Sequence, residues 1–315
     1  MLRALALAFL LFSTGALADM PAGIYPPSQG VPESATPLAA SPMPVLRAHP
    51  ALWKVVGKRG TVYLFGSLHL LPPNVDWHAR NITRAIAASD VFVFETPEDQ
   101  DMLQKVQALI ANEGMLPKGE SLRALLPADV QGDYDTELAQ LGISAQAVDG
   151  KRPWLVSLLM EVTQIMKESN ASPDSGVDLV LMREATADHK PMRYLETIEQ
   201  QIALIVPNDS NVELQEFEAS LKEAHAEKDD YADFVAAWSG GDTARIDALM
   251  SGEFTQLPGA RKALLDDRNR AWLGKIEGML DEDGTFFVTV GVGHLVGPAG
   301  VPALLRAAGY AVEGP

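Results

Sequence analysis

Two histidines give the first chemical signal. His69 closes Gly66-Ser67-Leu68-His69 and His294 closes Gly291-Val292-Gly293-His294, the same glycine-to-histidine spacing met 225 positions apart. Each unit follows an apolar run, Val62–Phe65 and Phe286–Val290. Two carboxylates end further apolar runs in the same manner: Glu95 after Val91–Phe94, and Glu196 after Pro191–Leu195. Two imidazoles and a carboxylate suit a divalent metal with an open coordination position. A water on such an ion ionises near neutral pH and can attack a carbonyl. The same groups could instead work without metal, a histidine serving as general base and a glutamate orienting it.

Those residues need elements that carry them to one place. The runs before them, rich in β-branched and aromatic side chains, read as buried strands. Glycine after a strand permits a sharp turn or a close approach of another group. Side chains just beyond strand ends lie where open α/β sheets bind ligands. His69, Glu95 and His294 are therefore expected to converge at the carboxyl edge of one sheet.

Trp53–Val56 and Thr61–Phe65, joined by Gly57-Lys58-Arg59-Gly60, read as a hairpin. Helices are expected over 81–88, 101–112, 127–141, 154–166 and 176–188. Another is expected over 197–206 with Thr197 as N-cap, and others over 242–250, 259–280 and 301–308. Strands cluster at both ends of the chain and helices fill the middle. The expected class is α/β: a central mixed sheet formed by N- and C-terminal strands with a large helical insertion.

Residues 1–18, MLRALALAFLLFSTGALA, have the three-part pattern of a secretory signal, with cleavage expected after Ala18. A periplasmic or secreted protein follows, with no transmembrane segment in the mature chain. Asp19–Pro44 holds seven prolines and reads as a flexible linker, which leaves 45–315 as one α/β domain. The chain contains no cysteine, so disulfides, thiolate chemistry and cysteine zinc sites are excluded. Losing residues 1–18 removes Arg3 and no acid, leaving 24 basic against 42 acidic residues and a charge of −18. Such a surface repels nucleic acid.

Plainer roles compete for the same residues. Glu95 could cap the next turn, and Glu196 could be a first-turn acid favoured by the helix dipole. Arg268 and Asn269, inside a helix, read by default as a solvated face. His49, His78, His189 and His225 read as surface residues, and the acidic run Glu213–Asp230 as an exposed helical face. The chain has no HExxH, GxSxG, P-loop or dinucleotide fingerprint.

LFGSLHLLP at Leu64–Pro72, VFVFE at Val91–Glu95, YLETIEQ at Tyr194–Gln200, DRN at Asp267–Asn269 and GVGHLVGPAGVPALLRAAGY at Gly291–Tyr310 together resemble the TraB/GumN family. The resemblance runs from about Leu52 to the C-terminus. It extends to the Tiki-type secreted metallopeptidases and, more distantly, to the erythromycin-esterase and ChaN-like fold. It implies a manganese, cobalt or zinc ion held by His69, Glu95 and His294, with Arg268 as the arginine of the DRN-like motif. Glu196 or Arg268 would then assist as a water-activating or oxyanion group. The implied activity is hydrolysis of a peptide or other small substrate. A metal-free esterase-like hydrolase and a non-catalytic envelope ligand-binding protein are the alternatives.

Overall fold

The computed structural model describes residues 44–97, 100–207, 210–223, 230–255 and 258–315. The expected signal, nearly all of the linker, Glu98, Asp99 and His225 lie outside them.

A six-stranded sheet organises the domain. Its strands are β2 (Leu52–Val56), β3 (Gly60–Ser67), β5 (Val91–Phe94), β6 (Met192–Tyr194), β7 (Gly284–Gly291) and β8 (Val312–Glu313), in the order β6-β5-β7-β3-β2-β8. The small strands β1 (Leu46–Arg47) and β4 (Val75–Asp76) pair separately. β6, β5, β7 and β3 run parallel to one another, whereas β2 is antiparallel to β3 and to β8. The sheet is thus mixed and is built from both ends of the chain, as the clustering of apolar runs leads one to expect.

Alternation along the strands gives the sheet two apolar faces. Phe65, Phe92, Phe94 and Phe287 point into a large core shared with the central helices. Val62, Leu64, Val93, Phe286 and Val288 point into a second core, with Trp272, Ile276, Leu280, Val301 and Leu305. Each of these fully buried large side chains contributes about 1.5–3 kcal/mol. Covered on both sides, the parallel strands read as continuous apolar runs, which explains their legibility.

The helices that bear on the site are α1 (Val177–Ala187), α2 (Ile198–Ile205), α3 (Asp230–Gly240), α4 (Thr243–Glu253), α5 (Asp267–Asp281) and α6 (Val301–Ala307). Thr197 caps α2 in a full capping box with Gln200, as its type and position predict. The helix expected over 259–280 is corrected: Pro258–Arg261 leads into a π turn at Lys262–Asp266 before α5 begins. Apolar spacing alone does not register such a wide turn, which occurs often at functional sites. The default reading of Arg268 and Asn269 as a solvated face also fails, because both are buried.

Gly66 shows why the first glycine of the repeated unit is needed. A Cβ there would lie 2.9 Å from both Cα and Cβ of Val292, which belongs to the second unit. The two units therefore pack directly on each other across the β3–β7 pair. Gly66→Ala is expected to destabilise the domain by about 1–3 kcal/mol through this overpacking. Thermal unfolding should show the midpoint falling by about 2–4 °C per kcal/mol; an unchanged midpoint would contradict the close approach.

Candidate active site

All four strand-end polar residues lie beyond the same edge, because β3, β5, β6 and β7 are parallel. Three of them meet over Gly291. The point where a Cβ of Gly291 would project is 3.4 Å from Glu95 Oε1, 3.7 Å from His294 Cδ2 and 3.8 Å from His69 Nε2. The missing side chain leaves a cradle into which both histidines and the carboxylate face. Gly291 N–H also donates to Glu95 Oε1 at 2.7 Å.

Each histidine is fixed through its Nδ1. The first turn of α1 docks against the loop after β3, with Val177 N–H donating to Leu68 O at 2.9 Å. That contact puts Asp178 beside His69, with Oδ2 2.7 Å from Nδ1. Tyr231, in α3, donates its hydroxyl to Leu70 O, and Trp238 Nε1 donates to Gly66 O at 2.8 Å, so the first unit is held on two further sides. Across the cradle, His294 Nδ1 is 2.6 Å from Asn269 Oδ1, while the Asn269 amide nitrogen donates to Ala299 O at 2.9 Å. Those two bonds fix the orientation of the Asn269 amide. His294 Nδ1 therefore carries the proton and Nε2 carries the lone pair.

Arg268 lies at the centre. It donates through Nη2 to Glu95 Oε2 at 2.5 Å, and through Nε and Nη2 to Glu196 at 2.9 Å each. Its Nη1 reaches His294 Nε2 at 3.0 Å and Leu264 O, in the π turn, at 3.1 Å. Trp272 stacks against the guanidinium and donates Nε1 to Glu196 Oε1 at 2.9 Å. Gln201, from α2, adds a 3.0 Å bond to Glu95 Oε2.

This network sets the charge states. Burial alone would raise the Glu95 pKa, but Arg268, His294, His69 and the Gly291 N–H outweigh it and hold the carboxyl at about 2. Burial and the adjacent Arg268 push His294 down to about 3, so its ring is neutral. Burial opposes charge on His69 too, but the Asp178 carboxylate overcomes it and raises that pKa above 6.5.

His69, Glu95, Glu196, Arg268 and His294 thus belong to one connected cluster. His49, His78 and His189 are all exposed and lie apart from it, as surface residues. Asp178, Gln201 and Trp272 were missed as site residues. Asp178 in sequence is only a first-turn helix acid, and nothing in its neighbourhood distinguishes it from the others.

The sequence model of the TraB/PrgY/gumN family matches residues 51–314. The chain belongs to the TraB/PrgY/gumN family. Across 78% of its length it is 25% identical to "Uncharacterized protein YbaP" of Escherichia coli, covering 87% of that protein. It is also 25% identical to "Metalloprotease TIKI2" of Xenopus tropicalis, over 83% of this chain and 59% of the relative. Identity to "Metalloprotease TIKI1" of Homo sapiens is 24%, over 80% of this chain and 59% of that protein. The chain thus spans well under two thirds of the TIKI relatives, at a distant similarity. No solved structure matches it significantly. Among the described residues no helix is long and apolar enough to cross a membrane.

Whether the cluster suits a metal depends on its donors. Glu95 and Glu196 pair with the Arg268 guanidinium and Asp178 with His69, so the three carboxylates and one guanidinium leave two negative charges when both histidines are neutral. That excess, the imidazole nitrogens and the Gly291 cradle fit a divalent cation in type and charge. The Asp178–His69 and Asn269–His294 bonds are the kind of outer support that metal-binding histidines have. The spacing is looser: His294 Nε2 is 4.0 Å from Glu95 Oε1, and among the described residues no three acidic or histidine side chains form a ready cage.

Proposed function

We propose that this TraB/PrgY/gumN family protein is a metal-dependent hydrolase of the peptidase kind, acting outside the cytoplasm in keeping with the secretory pattern of residues 1–18. The observation that carries the reading is the convergence of His69, Glu95 and His294 on the Gly291 cradle, each histidine oriented through its far nitrogen. The distant similarity to the TIKI metalloproteases supports the reaction class. The three converging residues would hold a manganese, cobalt or zinc ion. When bound, that ion would supply a water ionised near neutral pH and polarise the scissile carbonyl.

The chain's own residues have separable tasks. Asp178 holds the His69 ring with Nε2 facing the cradle and raises its basicity. Asn269 fixes the His294 tautomer. Glu196 anchors Arg268 through its Nε and Nη2, so that a positive charge stays beside the place where an oxyanion would form. Glu95 stays ionised throughout the neutral range because its pKa is near 2.

Elemental analysis of protein purified without added chelator, joined to turnover of a peptide library, tests the proposal. One divalent ion per chain and metal-dependent cleavage are expected; protein without stoichiometric metal and without turnover refutes it. The charge states add a sharper expectation. His294 is already neutral at pH 6, whereas the Asp178 carboxylate favours the protonated form of His69, which must lose its proton to bind a metal. Titration of cobalt(II) by calorimetry in buffers of different ionisation heat should show proton release on binding that grows as the pH is lowered through pH 6. Affinity should fall as pH drops below the His69 pKa. In Asp178→Asn the proton release at pH 6 should shrink; an undiminished release would remove Asp178 from this role.

A further inference from the structure

We propose that Arg268 and a divalent ion compete for the ring nitrogen of His294, so that the guanidinium is an exchangeable internal cation of this site. The inference rests on the metal reading above and concerns the chain's own residues.

A neutral imidazole has one in-plane lone pair. With Nδ1–H given to Asn269, that lone pair is on Nε2, and Arg268 Nη1 lies 3.0 Å from it. The same nitrogen cannot accept this N–H and coordinate an ion together. Glu95 is divided in a similar way: Oε2 accepts from Arg268 and Gln201, while Oε1 accepts the Gly291 N–H and faces the cradle. One of the three donors is thus occupied by the guanidinium and another is shared with it.

Arg268 does not need His294 to remain in position. Glu196 holds it through Nε and Nη2, Trp272 stacks on it at 4.8 Å, and Leu264 O takes a bond from Nη1. A small displacement that breaks the bond to His294 therefore leaves the arginine anchored. The buried carboxylates keep a cationic partner, and the lone pair passes to the incoming ion. Arrangement and charge make the exchange a property of the site. Removing the guanidinium should accordingly strengthen metal binding.

The test uses the whole protein and cobalt(II) alone, followed by calorimetry and by the visible d–d spectrum. Arg268→Gln is expected to bind cobalt(II) at least about tenfold more tightly than the wild type, because a positive charge next to the ion has gone. Arg268→Lys, which keeps the charge but not the planar fork, should lie between them. Millimolar guanidinium added to Arg268→Gln should weaken cobalt binding back toward the wild-type value. Far-ultraviolet circular dichroism melts verify that each variant is folded, and Arg268→Lys decides the matter if Arg268→Gln is not. Equal or weaker binding in the folded variants, with cobalt still bound by the wild type, overturns the competition and leaves the hydrolase proposal standing. Absence of cobalt binding in every protein overturns both.

Discussion

His69→Ala, Glu95→Gln and His294→Ala are each expected to lower hydrolysis by about 100- to 1000-fold, and the triple variant should be scarcely worse than any one of them. The three groups face one cradle over Gly291, so on the proposed reading each would serve the same reacting centre rather than an independent part of it. Groups acting as a unit lose most of their effect with the first deletion. Steady-state kinetics on a peptide that the wild type cleaves would reveal this pattern. Losses that multiply across the single variants would mean three separate contributions. Wild-type rates in all three would move the active site elsewhere.

Arg268→Met should unfold more readily than the wild type by about 3–5 kcal/mol at pH 7, the usual consequence of leaving buried charges without their partner. Glu95 and Glu196 both lose their cation, and each has a side chain only 8% exposed. Acid should narrow the difference. The Glu95 pKa is depressed from 4.5 to about 2 in the folded wild type, so its contribution is present above 4.5 and lost as pH falls toward 2. His294 has the same sign: its pKa falls from 6.5 to about 3, favouring folding above 6.5 and losing that effect on acidification. Without Arg268 both groups move back toward their ordinary values. Urea unfolding of the two proteins at pH 7 and pH 4 should show the gap shrinking. A gap that stays constant or widens in acid would show that Arg268 acts through packing instead of charge.

The strands and their endings were legible because each depends on a local pattern: an apolar run and then a polar residue, with a glycine between them in the two histidine units. Glu95, His69 and His294 stand at such endings, and parallel pairing brings the endings to one edge. Asp178, Gln201 and Trp272 were not legible in the same way. They sit on helices, and which helical side chain reaches a site depends on how that helix docks. Arg268 was recognisable through the DRN-like motif, whereas its burial was not, since charge inside a helix ordinarily faces water. The π turn that places Leu264 O against its Nη1 interrupts the 3.6-residue repeat without any glycine or proline at 262–266 to mark it.

The pairing of β3 with β7 also governs when the candidate site can assemble. These neighbours in the sheet, with Ser67 opposite Gly291, are joined by more than two hundred residues of intervening chain. Closing so long a loop precedes any gain from the pairing, so such topologies fold late and slowly. A ribosome-bound chain that stops short of β7 holds His69 and its aspartate but neither the cradle nor the second histidine. On the proposed reading, assembly of the site and completion of the central sheet would then be one event, and a partly made chain would lack the means to cut its surroundings.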